Sequence, residues 1–379
     1  MTEDLSEHLK TLRRDFHKNY AERSGEEART ARKIRTYLQQ HTNAHTSTVG
    51  NTGTIAVFKG SAPGKTIMLR ADIDALPIRE SNAFDHKSID AEVSHKCGHD
   101  GHTTILLGLA RLLEEQPIEK GTVMILWQPA EENGMGAKAV MDDSQFGQYE
   151  IDEAYALHNL PGFHTGQILY KSGAFTANVK SLIIELKGKT AHAAEPEHGH
   201  NPTYTISAIL SYIQKLTNNK PAEHDFFLIT PVYMEAGSRD YGIAAGEGAI
   251  HLTIRSWSPQ VFANRTRLLT DFVDNICSEQ NIIATYSWTQ EFWTNNNDEN
   301  AVDIIKKSAD DLNFAKQELT APFKWGEDFG LFTQSIPGAM FGIGAGKDCP
   351  ALHNPDYDFP DEILLPAVLM FYKILTHAL

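Results

Sequence analysis

The sequence predicts an α/β protein with a mostly parallel sheet between helices and a smaller α+β domain inserted into it. Over most of the chain, nearly continuous apolar strands alternate with helical segments, which is typical of a parallel sheet buried on both faces. The middle of the chain instead follows a β-α-β-β-α-β order, which predicts a split βαβ, ferredoxin-like domain. We therefore expect a larger domain at residues 1–176 and 293–379 and a smaller one at residues 177–292.

In the larger domain, the first forty residues are rich in helix formers and predict helices. Later helices are predicted for "TTILLGLARLLEEQ" and the closing "DEILLPAVLMFYKILTHAL". Strands are predicted for "KTIMLRADIDAL", "GTVMILWQPAEE" (a strand, then a loop), "DEAYALHNL" and "AMFGIGAG". The short polar stretch from Asn295 to Asp298 predicts a loop.

In the smaller domain, strands are predicted for "SLIIELKGK", "DFFLITPVYMEA", "GAIHLTIRSW" and "IIATYSWTQEF". Helices are predicted for "TYTISAILSYIQKL" and "ANRTRLLTDFVDNICSEQ". The first helix has an apolar stripe at i, i+3, i+4 and i+7, formed by Ile206, Ile209, Leu210 and Ile213. The third strand alternates Ile250, Leu252 and Ile254 with polar residues, which predicts a sheet with one solvated face.

Composition excludes several classes of partner. The chain has 379 residues with 34 Lys+Arg and 49 Asp+Glu, a formal net charge of -15, so nucleic acid and anionic membrane surfaces are poor partners. No apolar run approaches the roughly 18 residues of a membrane span, and the N-terminus has no apolar signal core. Three irregularly spaced cysteines do not indicate a disulfide framework. A cytoplasmic protein is expected.

Acids and histidines follow several of the predicted strands. In an open α/β sheet, ligands bind outside the carboxyl ends of the strands, so these side chains are expected at one edge. Thiolate, imidazole and carboxylate groups with one free carboxylate suit a dinuclear metal site with a general base. For "SHKCGHDGHTT" alone, the alternative is a polar loop that caps the next helix. The side chains that follow strands are Asp72, Asp74, Glu131, Glu132, His158 and His353, whereas Cys97 and His99 open the helix after the Ser94 loop and could reach the same edge.

Six motifs in order along the chain resemble those of the M20 peptidase family of metal-dependent amidohydrolases. They are "RADIDALPI", "CGHDGH", "QPAEE", "GKTAHAAEP", "GEDFG" and "LHNP". The most similar subgroup contains aminoacylases, hippurate hydrolase, auxin-conjugate hydrolases and N-acetyldiaminopimelate deacetylase. The resemblance implies a dinuclear-metal domain and a lid domain that usually forms the dimer interface.

The resemblance also implies roles for particular residues. Glu131 would be the general base, and the ligands of two divalent ions (zinc, or manganese, nickel or cobalt) would be Cys97, His99, Glu132, His158 and His353. Asp72 and Asp74 both remain candidates for the catalytic acid, because the alignment of "DIDALP" can be shifted. Asp100 and His102 would orient ligands, although Asp100 could equally cap the helix.

Residues of the smaller domain are implicated in holding the substrate. His192 resembles the lid histidine that polarises the scissile carbonyl, in some relatives across a dimer interface. Arg255 matches the family's strand-end arginine, and it or Arg239 could pair with a substrate carboxylate. The chain departs from the subgroup at Tyr241, near the place of an Asn that precedes "Ile/Val-x-Pro" in relatives.

The implied function is metal-dependent hydrolysis of the amide bond of N-acyl amino acids by a metal-activated water. The nearest alternative is a dipeptidase or aminopeptidase-like exopeptidase on the same scaffold. A non-catalytic metal-binding protein is a distant alternative, because Glu131 is present. A serine or cysteine hydrolase is weaker still, because no "GxSxG" motif occurs.

Overall fold

A computed structural model describes residues 2–379 and divides them into two compact units. The first unit comprises the chain up to Phe175, Asn295–Thr320 and Glu327–Leu379. The second comprises Thr176–Thr294 and Ala321–Gly326. The sequence predicts the short segment Ala321–Gly326 as part of the larger domain. It belongs to the second unit instead, because Thr176 bridges to Phe323 and Arg255 donates a hydrogen bond to the Lys324 carbonyl.

The elements alternate along most of the chain. Within residues 2–379 the helices are α1 Thr2–Asn19, α2 Ala28–His41, α3 His99–Glu115, α4 Gly136–Met141, α5 Pro202–Leu216, α6 Pro259–Glu279, α7 Glu299–Asp311 and α8 Leu364–Ala378. The strands are β1 His45–Val49, β2 Gly53–Lys59, β3 Ala62–Asp72, β4 Lys120–Gln128, β5 Glu153–Pro161, β6 Ile168–Tyr170, β7 Gly173–Ala174, β8 Asn178–Lys187, β9 Ala191–His192, β10 Phe227–Ala236, β11 Ile243–Ala244, β12 Glu247–Ser256, β13 Ile283–Phe292, β14 Asn296–Asn297, β15 Lys316–Glu318 and β16 Gly338–Gly346.

The first unit is built on an eight-stranded sheet in the order β1-β2-β4-β3-β5-β16-β6-β15. Its centre, β4-β3-β5-β16, is parallel, which confirms the predicted α/β fold. Antiparallel pairs occur towards the edges, where β2 pairs with β1 and β4, and β16 pairs with β6. The central strands are mostly apolar and buried, as expected of a parallel sheet covered on both faces. For example, residues 123–128 of β4 are all buried.

The second unit has the β-α-β-β-α-β order that the sequence predicts. Its four-stranded antiparallel sheet runs β10-β12-β8-β13, and α5 and α6 pack against it. Alternate residues of β12, including Ile250, Leu252 and Ile254, are fully buried in the core beneath these helices. In α5, Ile209 is fully buried, whereas Leu210 is only partly buried. The ferredoxin-like prediction is therefore confirmed.

Three features differ from the sequence-based expectation or add to it. The β1–β2 hairpin and α7 were not assigned by the apolar patterns. Asn296 and Asn297, expected in a loop, form β14, which pairs with β7 at Gly173 and Ala174. The loop prediction for these two residues failed because backbone pairing brings them into a strand without any apolar alternation.

Within residues 2–379, none of the helices combines the length and apolar character needed to cross a bilayer.

Candidate metal centre

The parallel strands deliver the polar side chains to one edge of the large sheet. Asp72 is the last residue of β3, and His158 lies near the end of β5. Glu131 follows the end of β4 by three residues, and His353 follows the end of β16 by seven. Because β4, β3, β5 and β16 are parallel neighbours, their carboxyl ends share one edge, as the motif order predicts.

Two groups of potential ligands meet at Cys97. In one group Cys97, His99 and His158 each place a ligand atom within 4.8 Å of the others. In the other, Cys97, Glu132 and His353 do the same. The Cys97 sulfur is common to both groups, so the five side chains form one continuous cluster. The structure thus brings together every residue that the resemblance marks as a ligand.

A glycine between Cys97 and His99 makes this approach possible. Gly98 has a φ of +98°, which L side chains rarely adopt, and α3 begins at the next residue. A Cβ at Gly98 would lie only 2.6 Å from Oδ1 of Asn159 on β5. The start of α3 can therefore touch β5 only with glycine here, and this contact places Cys97 and His99 beside His158.

Hydrogen bonds orient both buried histidines toward the cluster. His99 Nδ1 lies 3.1 Å from both the carbonyl oxygen and Oδ1 of Asp74, so Nδ1 carries the proton and donates. His158 Nδ1 donates to the carbonyl oxygen of Asn159 at 2.8 Å. Each ring therefore turns its Nε2 lone pair toward the cluster, and His158 Nε2 lies 3.6 Å from Cys97 Sγ. This is the usual arrangement of metal-binding histidines.

The donor atoms at the centre fit a divalent cation. Among residues 2–379, His99 Nε2 and Glu132 Oε1 are both buried without a hydrogen-bond partner. They face each other at 3.8 Å, and His99 Nε2 also lies 3.6 Å from Asp72 Oδ2 and 4.0 Å from Glu131 Oε2. A lone pair surrounded by carboxylate oxygens is satisfied by a positive charge between them. Thiolate, imidazole and carboxylate donors suit zinc and related transition metals.

The pKa values of the acidic groups around the centre also favour a bound cation. Burial, reinforced by the carboxylate of Glu327 and that of Glu132, raises the pKa of Glu131 well above its usual value. Burial also raises the pKa of Glu132 to about 8, although His99 opposes this shift. Burial and the nearby Glu132 raise the pKa of the Cys97 thiol as well. These groups are buried close to one another, and each would carry a negative charge when ionised, so a bound cation would stabilise their ionised forms.

Asp72 and Asp74 have different partners. Asp74 binds His99 through Oδ1 and, through Oδ2, accepts from Ser24 Oγ at 2.7 Å and from the Glu132 amide at 3.0 Å. Asp72 Oδ1 instead accepts from His102 Nδ1 at 2.6 Å, and its Oδ2 pairs with Arg70 at 2.7 Å. Asp74 therefore contacts two residues of the cluster directly.

His102 lies beside the cluster, and hydrogen bonds engage both of its ring nitrogens. Its Nε2 lies 2.5 Å from Asn159 Oδ1, and Asn159 in turn donates to the hydroxyl of Tyr357 at 2.6 Å. Both ring nitrogens of His102 are thus occupied by Asp72 and Asn159. His102 thereby links Asp72 at the end of β3 to Asn159 on β5.

Asp100 does not cap α3. The residue at the N-cap position is Gly98, and no side chain accepts a capping bond there. Asp100 Oδ2 instead accepts from His17 Nδ1 at 2.8 Å and from Arg13 at 3.4 Å, both on α1. The capping alternative for this residue was therefore wrong, because the buried partners on α1 draw the carboxylate away from the helix start.

The remaining predicted residues belong to the second unit. His192 ends the short strand β9, is exposed, and accepts a hydrogen bond from the amide of Ala194 at 3.1 Å. Arg255 lies on β12, where it donates to the Lys324 carbonyl at 2.7 Å. Arg239 and Tyr241 lie in the exposed β10–β11 connection, and Tyr241 is 96% exposed. None of these four residues takes part in the metal-ligand groups of the described chain.

Sequence reasoning missed a buried salt-bridge cluster beside the centre. Arg70 pairs with Asp72 and Asp328 at 2.7 Å and with Glu327 at 2.9 Å. Two signals pointed to it. Arg70 precedes Asp72 by two residues on a strand, so both side chains share a face. Glu327 and Asp328 are the acids of "GEDFG", which the resemblance identified as a motif without assigning it a role.

Comparison with known proteins agrees with these motifs. The model of peptidase family M20/M25/M40 matches residues 68–377. The chain is 31% identical over 374 residues to an N-acetyl-L-cysteine deacetylase of Bacillus subtilis, covering 97% of this chain and 88% of that protein. It is 30% identical over 387 residues to the hippurate hydrolase of Campylobacter jejuni, covering 98% and 96%. An N-acetyldiaminopimelate deacetylase of Lacticaseibacillus casei is 31% identical over 330 residues, covering 86% and 85%.

Solved structures show the same fold over the full length of the chain. The YxeP protein of Bacillus subtilis, described as a dinuclear metal-binding peptidase of the M20 family, superposes with a TM-score of 0.86 at 27% identity, covering 100% of this chain and 99% of that one. A putative aminohydrolase from methicillin-resistant Staphylococcus aureus superposes with a TM-score of 0.88 at 24% identity and complete coverage of both chains.

Proposed function

The chain belongs to peptidase family M20/M25/M40, and from this premise we propose that it hydrolyses the amide bond of N-acyl amino acids. Members of this family act on amide bonds, and the relatives described above, at 30–31% identity over most of the chain, are deacetylases and a hippurate hydrolase. One observation carries the proposal. Glu132 lies in a ligand group with Cys97 and His353, while its neighbour Glu131 is absent from both groups that share Cys97. Glu131, which groups with His99 and Glu132 but not with Cys97, is the carboxylate that we assign to proton transfer.

The proposed cofactor is a pair of divalent cations held by Cys97, His99, Glu132, His158 and His353. When bound, the two cations would lower the pKa of a water molecule and polarise the scissile carbonyl. The thiolate favours zinc, while the carboxylate and imidazole donors also admit manganese, nickel or cobalt.

Glu131 is proposed as the general base. Its side chain is buried, and Oε2 lies 4.0 Å from His99 Nε2. Glu131 would take a proton from the attacking water and return it to the nitrogen of the departing amine. Asp74 would act through His99, because it holds Nδ1 and so keeps Nε2 directed at the centre.

Two residues of the second unit are proposed to hold the substrate. His192 has an exposed ring, suited to donate a hydrogen bond to the oxyanion that forms at the carbonyl. Arg255 is proposed to pair with the carboxylate of the amino-acid product, as a guanidinium can do with two parallel hydrogen bonds.

The relatives favour this function over an exopeptidase. The relatives described above, at 30–31% identity, are named as deacetylases and a hippurate hydrolase. By contrast, a tripeptidase and an aminopeptidase share only 16% identity with the chain, a likeness that extends to the fold alone.

A substrate screen on metal-reloaded protein tests the proposal. We expect N-acetyl and N-benzoyl amino acids to be cleaved, unprotected dipeptides to be poor substrates, and chelation to abolish turnover. Cleavage of dipeptides at rates above those of all N-acyl amino acids would establish the exopeptidase instead. Turnover that survives prolonged chelation would exclude the metal-dependent reaction.

We also propose that the protein acts in the cytoplasm as a homodimer. The described cysteines are free thiols, which fits a reducing compartment, where disulfide bonds are rare. The dimer rests on the use of the second unit as an interface in the family.

A further inference from the structure

The turn that carries Glu131 and Glu132 begins with an unfavourable backbone conformation. Ala130 has a φ of +53°, in the left-handed region that residues with a Cβ rarely adopt. It follows β4 by two residues and is buried. Such a conformation persists only where surrounding contacts impose it. The direction of the next two side chains therefore depends on whatever holds Ala130.

A buried carboxylate from a distant part of the chain binds this residue. Glu27 Oε1 accepts a hydrogen bond from the Ala130 amide at 2.8 Å and another from the Gly25 amide at 2.7 Å. Its Oε2 accepts from Thr52 Oγ1 at 2.8 Å. The side chain of Glu27 is completely buried, so these bonds form away from water.

Glu27 stands at the start of α2 without serving it. It occupies the N-cap position, but its side chain makes no capping hydrogen bond. Glu22 binds the first turn of α2 instead, since its Oε2 accepts hydrogen bonds from the Thr30 amide at 2.7 Å and from Thr30 Oγ1 at 2.8 Å. The carboxylate of Glu27 is therefore directed to Ala130 and its neighbours rather than to the helix that follows it.

The segment that carries Glu27, residues 22–27, makes a second set of hydrogen bonds to the metal centre. Ser24 Oγ donates to Asp74 Oδ2 at 2.7 Å, and this oxygen also accepts from the Glu132 amide at 3.0 Å. Asp74 in turn binds His99 Nδ1. The backbone of Glu22 accepts from the Ala75 amide at 2.7 Å, which ties the segment to the end of β3.

We propose that Glu27 is a positioning residue of the metal centre, which holds the Ala130 amide in its left-handed turn and thereby directs Glu131 and Glu132. The proposal rests on the proposed function for the roles of these two glutamates. Residues that orient metal ligands from outside the ligand set commonly contribute 10-fold to 100-fold to metal affinity or activity.

The first experiment is a zinc titration of the metal-free protein against a chromophoric chelator, together with kcat, KM and Tm. We expect Glu27→Ala to weaken zinc affinity about 10–100-fold and to lower kcat more than it raises KM. Glu27→Gln should keep zinc affinity near that of the unchanged protein, because the amide oxygen can still accept from Ala130 while the amide nitrogen can donate to Thr52 Oγ1.

Glu22→Ala is the matched control. It removes a carboxylate from the same segment and weakens the start of α2, so it should lower Tm without changing zinc affinity. If Glu22→Ala and Glu27→Ala lower zinc affinity in proportion to their losses in Tm, the role of Glu27 is only structural. Unchanged zinc affinity in Glu27→Ala would also overturn the proposal.

A second substitution tests the route through Ala130. Glycine adopts positive φ freely, so Ala130→Gly should restore part of the zinc affinity lost in Glu27→Ala. The two changes should therefore be non-additive. Purely additive effects would show that Glu27 does not act through this turn. Since zinc affinity is measured without substrate, absence of deacylase activity in the unchanged protein would refute the proposed function and leave this test intact.

Discussion

At the scale of single residues, Glu131 and Glu132 are adjacent but have different surroundings. Glu132 Oε2 lies 3.6 Å from His353 Nε2 and its backbone amide is bound by Asp74, which places it among the ligands. Glu131 instead shares a group with Glu327 and Asp328, whose carboxylate oxygens lie within 4.8 Å of its own. A turn, unlike a regular strand or helix, can aim two consecutive side chains at different targets of one site.

This difference predicts separate effects for two conservative substitutions. Glu131→Gln keeps the shape but removes the proton acceptor, so turnover should fall by roughly 10²–10⁴ while bound metal is retained. Glu132→Gln should lose metal, because a neutral amide is a poorer ligand than a carboxylate. Elemental analysis and turnover of both variants measure the two effects. If Glu131→Gln is the variant that empties the site, the two roles are exchanged.

At the scale of elements, α1 is joined to the start of α3 by a buried ionic network. His17 on α1 lies between two carboxylates, with Nδ1 2.8 Å from Asp100 and Nε2 3.1 Å from Glu80. Burial opposes a charge on His17, but the hydrogen bonds to Asp100 and Glu80 outweigh it and raise its pKa to about 9. Lys96, which precedes Cys97, also binds Glu80, at 2.5 Å.

The raised pKa of His17 predicts a loss of stability at alkaline pH. Its unfolded value is about 6.5, so between pH 6.5 and 9 the folded state binds more protons and stability falls as pH rises. Protonated His17 contributes about 3 kcal/mol to the free energy of unfolding, taking about 1.4 kcal/mol per pKa unit. This contribution is fully present below pH 6.5. Urea unfolding of metal-loaded protein at pH 6.5, 8 and 9.5 measures it.

His17→Gln is the comparison for that measurement. It keeps a hydrogen-bond donor but cannot take up a proton, so its free energy of unfolding should change less across this pH range. Equal pH slopes in the variant and the unchanged protein would assign the dependence to other groups.

At the scale of the whole molecule, the residues with proposed roles are distributed over the two units. All five proposed ligands and Glu131 belong to the first unit, whereas His192 and Arg255 belong to the second. The second unit has its own core, built from the inner faces of its sheet and of α5 and α6. A substitution in one unit is therefore expected to leave the other folded.

This division predicts that His192→Ala lowers turnover without lowering metal content. The histidine is exposed and outside both ligand groups, so its loss should affect the stabilisation of the oxyanion alone. Removal of a single oxyanion donor costs about 10²–10³ in kcat in other hydrolases. Full turnover in a metal-replete variant would remove His192 from the reaction.

The sequence by itself determined the class of fold and the site's inventory of side chains. Apolar runs distinguish buried parallel strands from half-solvated antiparallel ones, because burial on one face or two dictates the pattern. Acids and histidines directly after such strands must lie at one sheet edge. Asp72, Glu131 and His158 follow three such strands, so the order of residues alone predicts that they lie together.

Only the tertiary structure decided which atoms face one another. Four hydrogen bonds of the site join distant segments of the chain. They link Asp100 with His17, Asp72 with His102, Asp74 with His99, and Glu27 with Ala130, which is 103 positions away. No local pattern encodes them, because a buried polar side chain takes its partner from whatever donor or acceptor packing brings within about 3 Å.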